Sequence, residues 1–257
     1  MLTVLVVLVA VAALAAAWRL RSRGAELERR LALASRNLES LEHAFTRFAP
    51  HEVVERIIAD GIATDAETKD VTILFADLKG FTSLAEQLEP AALVELLNGY
   101  FERMNRAVAA NRGYLAKFIG DGFLALFGAL EPNPWQTNDA LHAALAMRAA
   151  IADYNQSLRE KGGPALAVGV GIHRGAVVAG VLGTSALKEY GVIGRTVNVA
   201  ARIEELTRAH GTDVLVSDAV RVACDPRFRL RALAAVEAKG LPEPLVTFAL
   251  EGFDGAE

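Results

Sequence analysis

The sequence lacks several features that mark common classes of protein. Its single cysteine, Cys224, excludes a disulfide within the chain. The five histidines include no pair at the spacing of zinc ligands. The net charge is −4 and the chain has no basic stripe, so we expect no nucleic-acid partner. Because no serine or cysteine has a recognisable base partner, a hydrolase with such a nucleophile is also not indicated.

Residues 1–18 contain no charged side chain, and as a helix they would extend roughly 27 Å, close to the thickness of a bilayer core. The basic run RLRSR follows at 19–23. This order predicts a single-pass anchor in the plasma (inner) membrane, with the rest of the chain in the cytoplasm. The alternative is a cleaved secretory signal, but that would place the basic residues before the apolar run.

Residues 24–48 show apolar positions spaced alternately by four and three residues. This is the a/d pattern of a short parallel coiled coil, which would make the protein a homodimer. A single amphipathic helix packed on the domain would show a broader version of the same stripe. The apolar positions are Leu27, Leu31, Ala34, Leu38, Leu41, Phe45 and Phe48.

Residues 49–69 are predicted to form a short helix and a polar linker, and 70–250 a single large domain. Within the domain we expect a strand over 71–77, two helices, a strand pair turned at Gly120 to Gly122, and a long helix over 137–159. Two strands about a turn near Gly175, a helix over 197–209 and two late strands then follow. The order predicts an α+β fold with a ferredoxin-like βαββαβ core and C-terminal additions.

Two aspartates end up at one edge of this predicted sheet. Asp77 ends the first strand, and Asp121 lies in the turn between the second and third. Since strands one and three are neighbours in such a core, the two carboxylates should meet. Facing carboxylates suit divalent cations that also bind substrate phosphates. The alternative is that each aspartate merely stabilises its turn.

Four stretches together resemble the catalytic domain of class III adenylyl cyclases, over about 70–250. They are FADLKGFTSLAE, AKFIGDGFLALFG, GVGIHRGAVVAGVLG and EYGVIGRTVNVAARIEELT, in that order. The resemblance implies conversion of ATP to 3′,5′-cyclic AMP and pyrophosphate. It also implies a homodimer whose active sites are shared between subunits, and two Mg²⁺ or Mn²⁺ ions as cofactors.

The resemblance implies a role for each matching residue. Asp77 and Asp121 would bind the metal ions, with a further ligand from the Leu78 carbonyl. Lys117 would recognise adenine, Asn198 would orient the ribose, and Arg202 would stabilise charge on the α-phosphate. The remaining matches would contact phosphates; they are Lys79, Gly80, Phe81, Thr82 and, in a less distinctive setting, Lys239.

Two positions depart from the family pattern. Seven residues before Asn198 the family often has an aspartate, threonine or serine that helps recognise adenine, and this chain has Gly191. The motif GDTVN is GRTVN here, so Arg195 reverses a charge. These departures leave two alternatives to an adenylyl cyclase: a guanylyl or promiscuous purine nucleotide cyclase, and a catalytically degenerate module for dimerisation or nucleotide sensing.

Overall fold

A computed structural model describes residues 66–184, 188–237 and 244–255. Nearer the N-terminus it describes seven isolated residues, all helical and exposed: Trp18, Arg21, Arg29, Arg30, Leu33, Ser35 and Arg36. The chain divides into two units, Met1–Glu55 and Arg56–Glu257. No helix within the described residues is long and apolar enough to cross a membrane. Apart from these isolated residues, the predicted anchor, coiled coil and linker up to residue 65 lie outside the described part of the chain.

The second unit is an eight-stranded mixed sheet with helices on both faces. The strands are β1 (Glu67–Leu78), β2 (Tyr114–Ile119), β3 (Gly122–Phe127), β4 (Val168–Gly183), β5 (Lys188–Ile193), β6 (Val214–Ser217), β7 (Phe228–Ala232) and β8 (Thr247–Phe253). The helices are α1 (Phe81–Ala85), α2 (Pro90–Ala110), α3 (Gln136–Glu160), α4 (Arg195–Ala209) and α5 (Asp218–Ala223).

The strand order is β2-β3-β1-β4-β6-β8-β7, with β5 paired to β4. The first four strands and helices α1 to α3 therefore form the predicted βαββαβ core, in which β1 pairs antiparallel with both β3 and β4. The later strands extend the sheet beyond β4, through a parallel pairing with β6.

One expectation about the strands is wrong. No turn occurs at Gly175, because β4 runs unbroken for 16 residues. Its first part pairs with β1 from Val168 to Ala179, and its last part pairs with β5. Gly175 lies directly opposite Val71 in this ladder, so its backbone belongs to an ordinary strand. A Cβ atom on Gly175 would lie 3.0 Å from Thr196 Oγ1 of α4, so glycine here leaves space for that helix and does not make a turn.

The alternation of side chains along β1 separates two cores. Leu74, Ala76 and Leu78 face the larger core, which α2 and α3 cover. Val71 and Ile73 face the smaller core, where Ala200 of α4 packs. Because successive side chains of a strand point to opposite faces, Asp77 lies on the same face as Val71 and Ile73. The last acidic residue of β1 is therefore on the side of the sheet that α4 covers.

Candidate active site

Asp77 and Asp121 meet at one edge of the sheet. β1 pairs with β3 from Thr72–Phe127 to Ala76–Phe123, which brings the turn before β3 next to the end of β1. Gly120 has a φ of 63°, a left-handed conformation that glycine adopts without strain, and it places Asp121 at the tip of the turn. A Cβ atom on Gly122, the residue that follows Asp121, would lie 2.9 Å from Asp77 Oδ1, so the two acidic residues are neighbours. The sequence-based expectation that these side chains lie together is therefore met.

The environment of the aspartate pair disfavours ionisation of Asp121. Burial raises the pKa of Asp121, and the neighbouring Asp77 raises it further. Backbone N–H groups of Asp121 itself and of Leu78 donate to the Asp121 carboxylate and partly oppose this rise in pKa. A divalent cation placed between the two carboxylates would remove their repulsion, so this donor set fits a hard cation.

Such a cation would need ligands beyond these two side chains. Within the described ranges, no group of three or more His, Cys, Asp or Glu residues is placed to hold a metal ion. Mg²⁺ is commonly bound by one or two carboxylates, with water and phosphate oxygens completing its shell. The site therefore suits a metal ion that arrives with a phosphorylated substrate better than a permanently caged one.

A row of glycines on β4 lets α4 approach the sheet beside Asp77. Gly169 is the direct partner of Asp77 in the ladder, and Gly171 is the partner of Phe75. A Cβ atom on Gly171 would lie 2.2 Å from the backbone nitrogen of Glu204, and one on Gly169 would lie 2.5 Å from Glu204 Oε1. Real Cβ atoms do not come so close, so α4 can occupy this position only against bare backbone.

The close approach of α4 brings charged residues that were not predicted from the sequence. Arg208 Nη2 donates to Asp77 Oδ2, and Arg208 Nη1 lies 3.5 Å from Glu204 Oε1. Thr207 is fully buried, and its hydroxyl has no hydrogen-bond partner among the described residues. Asp77 therefore faces an acidic neighbour on one side and the end of α4 on the other.

Glu204 is a buried carboxyl at the centre of this arrangement. Its side chain is only 8% exposed. Burial raises the pKa of Glu204 to about 7; the charge of Asp77 contributes to the rise, and the Arg208 guanidinium opposes it. On the other face, the Tyr100 hydroxyl is buried without a hydrogen-bond partner in the described structure. Burial and the charges of Asp77, Asp121 and Glu204 raise the pKa of Tyr100.

The predicted phosphate loop follows Asp77 directly. α1 begins at Phe81, and Gly80 precedes it with a φ of 72°. The backbone N–H of Lys79 donates to the Ala167 carbonyl at 2.7 Å, so this amide is already paired. The Lys79 ammonium donates to the Thr212 carbonyl at 2.6 Å and borders a cavity of about 420 Å³ that Met147 and Ile151 also line. Desolvation lowers the pKa of Lys79.

Asn198 and Arg202 lie apart from the aspartate pair. Asn198 is exposed on α4 and Arg202 is partly buried, and Arg202 bonds to Glu205 Oε1 and Oε2 at 2.7 and 2.6 Å. Among the described residues, no hydrogen bond or ion pair connects Asn198 or Arg202 to Asp77 or Asp121. Lys117 is exposed on β2, where it pairs with Leu124. Arg208, which bonds to Asp77, follows Arg202 by six residues and Asn198 by ten on α4, or roughly 9 and 15 Å along the helix. Asn198 and Arg202 therefore lie away from the aspartate pair of their own chain.

The last predicted site residue is Lys239, and the two departures from the family pattern are Gly191 and Arg195. Lys239 lies outside the described residues. Gly191 is on β5 opposite Gly180, and among the described residues a Cβ atom there would meet only Leu182 Cδ1, at 3.2 Å. Arg195 is the exposed first residue of α4. Burial lowers the pKa of His173 to about 4, and the charge of Arg195 lowers it further.

A signal for the missed residues was present in the sequence. The run GVGIHRG places glycines at 169, 171 and 175. Because these positions are two and four residues apart, the three glycines lie on one face of a strand. A glycine row on a strand indicates that another backbone approaches closely. The helix with the asparagine and arginine motif is the element that approaches, and its last turns therefore had to reach Asp77.

The comparisons with known proteins agree with this architecture. The family model for the adenylate and guanylate cyclase catalytic domain matches residues 64–252. An adenylate cyclase of Anabaena cylindrica is 35% identical over 231 residues, which are 86% of this chain and 45% of that protein. The chain spans less than half the length of the first curated relatives that it matches.

Two solved structures resemble the domain closely. The guanylyl cyclase Cya2 has a TM-score of 0.69 at 33% identity, covering 73% of this chain and 94% of that one. The adenylyl cyclase CyaB from P. aeruginosa has a TM-score of 0.69 at 27% identity, covering 73% and 96%. The sequence resemblance to class III cyclases is thus confirmed, and the chain belongs to the adenylate and guanylate cyclase catalytic domain family.

Proposed function

We propose that the protein is an adenylyl cyclase that converts ATP to 3′,5′-cyclic AMP and pyrophosphate. One observation carries the proposal beyond family membership: Asp77 and Asp121 are neighbours at the sheet edge, where the charge of Asp77 helps raise the pKa of Asp121. A degenerate domain has no need to keep two carboxyl groups side by side, because they repel each other once both are ionised. A nucleotide cyclase needs this pair to bind a metal–triphosphate complex.

In the proposed reaction, the ribose 3′-oxygen attacks the α-phosphorus and a new P–O bond forms. The bond from the α-phosphorus to the bridging oxygen breaks, pyrophosphate leaves with its electrons, and the 3′-hydroxyl proton is released to solvent. Divalent cations held by Asp77 and Asp121, with the Leu78 carbonyl, would supply Lewis-acid activation and charge neutralisation. Two Mg²⁺ or Mn²⁺ ions match this role.

The chain's own residues would position and stabilise the reacting groups. Asn198 would orient the ribose, and the planar guanidinium of Arg202 would donate to the α-phosphate as charge develops there. Arg202 is held by Glu205 in the free chain, so substrate would compete with that exposed ion pair, which is worth about 1 kcal/mol or less. Lys117 would recognise the base, and the segment from Lys79 to Thr82 would contact phosphates.

The separation of the two groups within one chain supports a homodimer with shared sites. Asp77 and Asp121 would come from one subunit, and Lys117, Asn198 and Arg202 from its partner. Exposed apolar side chains beside these residues, Phe118 and Ile119 on β2 and Ile193 on β5, provide a surface for such an interface. In a two-fold homodimer each site would be complete.

A guanylyl or promiscuous cyclase is the second candidate, and it rests on Gly191. A glycine provides no side chain to accept the adenine amino proton, so base selectivity would depend on Lys117. The similar structure named a guanylyl cyclase shares 33% of its sequence with this chain. Guanylyl cyclases of this family usually replace the adenine-reading lysine with glutamate, and the retained Lys117 therefore favours ATP.

We also propose that residues 1–18 anchor the protein in the inner membrane, with the domain in the cytoplasm. Residues 24–48 would then form a coiled coil that holds two chains in register. The support is the sequence pattern alone: an uncharged run followed by RLRSR and a heptad repeat. Fractionation of cells that express the full chain, beside a form lacking residues 1–18, tests the anchor. Recovery of both forms in the supernatant would contradict it.

The activity is tested with the full chain purified in detergent. ATP or GTP is supplied with Mg²⁺ or Mn²⁺, and the cyclic nucleotides are measured by mass spectrometry beside Asp77→Ala. Cyclic AMP that disappears in the variant supports the proposal, and comparable cyclic GMP supports the second candidate. No product from a folded, dimeric protein would contradict both.

The shared site is tested by mixing two inactive variants, Asp77→Ala and Arg202→Ala. In a mixed dimer one site has both defects and the other has none. Random pairing makes half of the dimers mixed, so about a quarter of wild-type activity should return. If each chain contained its own complete site, mixing would restore nothing.

A further inference from the structure

Arg208 lies between two acidic side chains that differ in burial. Its Nη2 donates to Asp77 Oδ2, and its Nη1 is 3.5 Å from Glu204 Oε1, one helical turn earlier on α4. The Asp77 side chain is 31% exposed and that of Glu204 is 8% exposed. The guanidinium therefore makes its better contact with the carboxylate that is open to solvent and to ligands.

The two oxygens of Asp77 face different neighbours. Oδ1 faces Gly122, since a Cβ atom on that residue would lie 2.9 Å away, while Oδ2 accepts from Arg208. A cation between Asp77 and Asp121 would place a double positive charge near a guanidinium that bonds to the same carboxylate. The two positive groups therefore compete for Asp77.

We propose that Arg208 is a displaceable counter-ion of the metal site, bonded to Asp77 when no cation is present and shifted to Glu204 when a cation binds. This inference rests on the proposed function, in which Asp77 is a metal ligand. Arg208 acts through Asp77 and does not touch the substrate, so it is a positioning residue. It sets how tightly the free protein binds a divalent cation.

Glu204 is suited to receive the guanidinium because it is already within 3.5 Å and belongs to the same helix. At an (i, i+4) spacing the shift needs only side-chain rotation. The glycines at 169 and 171 hold Glu204 in place, because α4 rests on bare strand there. A buried carboxylate gains more from an additional cationic partner than an exposed one does, which offsets part of the cost of releasing Asp77.

The alternative role for Arg208 is purely structural, as an ion pair with Asp77 that stabilises the packing of α4 against β1. The Arg208 side chain is 43% exposed, and pairs exposed to this degree contribute about 1 kcal/mol or less to stability. A purely structural pair predicts a small loss of stability on substitution and no tighter metal binding. A counter-ion predicts that metal binding becomes tighter when it is removed.

The test measures Mn²⁺ binding to the full-length protein without nucleotide, by electron paramagnetic resonance of the free ion. We expect Arg208→Gln to bind Mn²⁺ about fivefold more tightly than wild type, as expected for loss of a competing pair worth about 1 kcal/mol. Arg208→Lys keeps the charge and should stay within about twofold of wild type. The matched control is Arg106→Gln, which removes one positive charge from an exposed pair with Glu102 on α2.

Unchanged or weaker Mn²⁺ binding in Arg208→Gln would overturn the inference, and so would equal tightening in Arg106→Gln. If Arg208→Gln does not fold, as judged by circular dichroism, Arg208→Met replaces it. Methionine also removes the positive charge and keeps an unbranched side chain, so tighter Mn²⁺ binding than wild type is again required. The outcome is separable from that of the proposed function. Tighter binding by Arg208→Gln in a protein that makes no cyclic nucleotide would contradict only the proposed function, while product formation without tighter binding would contradict only this inference.

Discussion

Gly122 packs directly against the carboxylate of Asp77. A Cβ atom at position 122 would lie 2.9 Å from Asp77 Oδ1 and 2.6 Å from the carbonyl oxygen of Ala76. The glycine that follows Asp121 therefore does more than complete a turn, because it leaves the space that the other aspartate occupies. The position of the Asp77 carboxylate therefore depends on the absence of a side chain next to Asp121.

We predict that Gly122→Ala displaces the Asp77 carboxylate and weakens metal binding. A shift of about 1 Å at a reacting group can reduce activity by about a hundredfold, and we expect at least a tenfold loss of Mn²⁺ affinity here. Titration of Mn²⁺ in the absence of nucleotide measures this. Gly163→Ala is the control, because its Cβ atom would come no closer than 3.2 Å to the Leu158 carbonyl. Unchanged affinity in Gly122→Ala would show that the carboxylate tolerates the methyl group.

The buried Glu204 should make stability depend on pH. Burial raises the pKa of Glu204 to about 7, whereas a glutamate in the unfolded chain has a pKa of about 4.3. The folded state therefore binds the proton more tightly, and Glu204 lowers stability progressively as pH rises from about 4.3 to 7. Above pH 7 the full penalty is present.

Glu204→Gln should remove this dependence. We expect the variant to be more stable than wild type by roughly 2 kcal/mol at pH 8, with the difference shrinking as pH falls and vanishing below about pH 4. Urea unfolding of the metal-free protein at several pH values measures it. Glu205→Gln, on the neighbouring exposed carboxylate, is the control and should change little at any pH. A difference that grows toward low pH would contradict the assigned direction.

The core of the fold was predictable because its signals are local and periodic. The boundaries of α3 and the turn at Gly120 follow from apolar spacing and glycine, and the neighbouring positions of Asp77 and Asp121 follow from the βαββαβ order. β5 and β7 were not predicted. Each is an edge or near-edge strand of five or six residues, where packing on one side leaves a weak pattern.

The charged side of the site was not predictable in the same way. Glu204 and Arg208 look like ordinary charges on the exposed face of an amphipathic helix. They belong to the site because α4 packs unusually close to β4. Gly169 and Gly171, on a strand roughly thirty residues earlier, allow that short distance between helix and strand. Gly175 was wrongly predicted to form a turn for the same reason. Glycine is common both in turns and in strands that a helix approaches closely, and the sequence alone does not distinguish the two.

Gly171→Ala tests this account of how α4 is positioned. The added Cβ atom would lie 2.2 Å from the backbone nitrogen of Glu204 and 2.7 Å from the Ala200 carbonyl, and neither backbone atom can rotate away. We expect a loss of at least about 3 kcal/mol in the free energy of unfolding, measured in urea. Gly191→Ala, whose Cβ atom would contact the tip of the flexible Leu182 side chain, should lose less than about 1 kcal/mol. Equal losses would contradict the tight approach of α4.

Base selectivity should respond to a side chain at position 191. Gly191 precedes Asn198 by seven residues, where related cyclases often have an aspartate. Within the described part of the chain, the one close neighbour of a new Cβ atom is Leu182 Cδ1 at 3.2 Å. Gly191→Asp would place an acceptor near the base, beside Lys117 of the same subunit in the proposed dimer. An acceptor for the adenine amino group rejects guanine, which presents a carbonyl oxygen there, because two acceptors cannot pair.

We therefore expect Gly191→Asp to raise the ratio of kcat/KM for ATP to that for GTP by about tenfold, mainly by lowering the rate with GTP. Cyclic AMP and cyclic GMP formation measured in one mixed-substrate reaction gives the ratio directly. Gly191→Ala adds the same Cβ atom without an acceptor, so it separates bulk from hydrogen bonding and should leave the ratio within about twofold of wild type. If the alanine variant shifts the ratio as far as the aspartate variant does, position 191 acts through the packing of β5 against Leu182 and not by recognising the base.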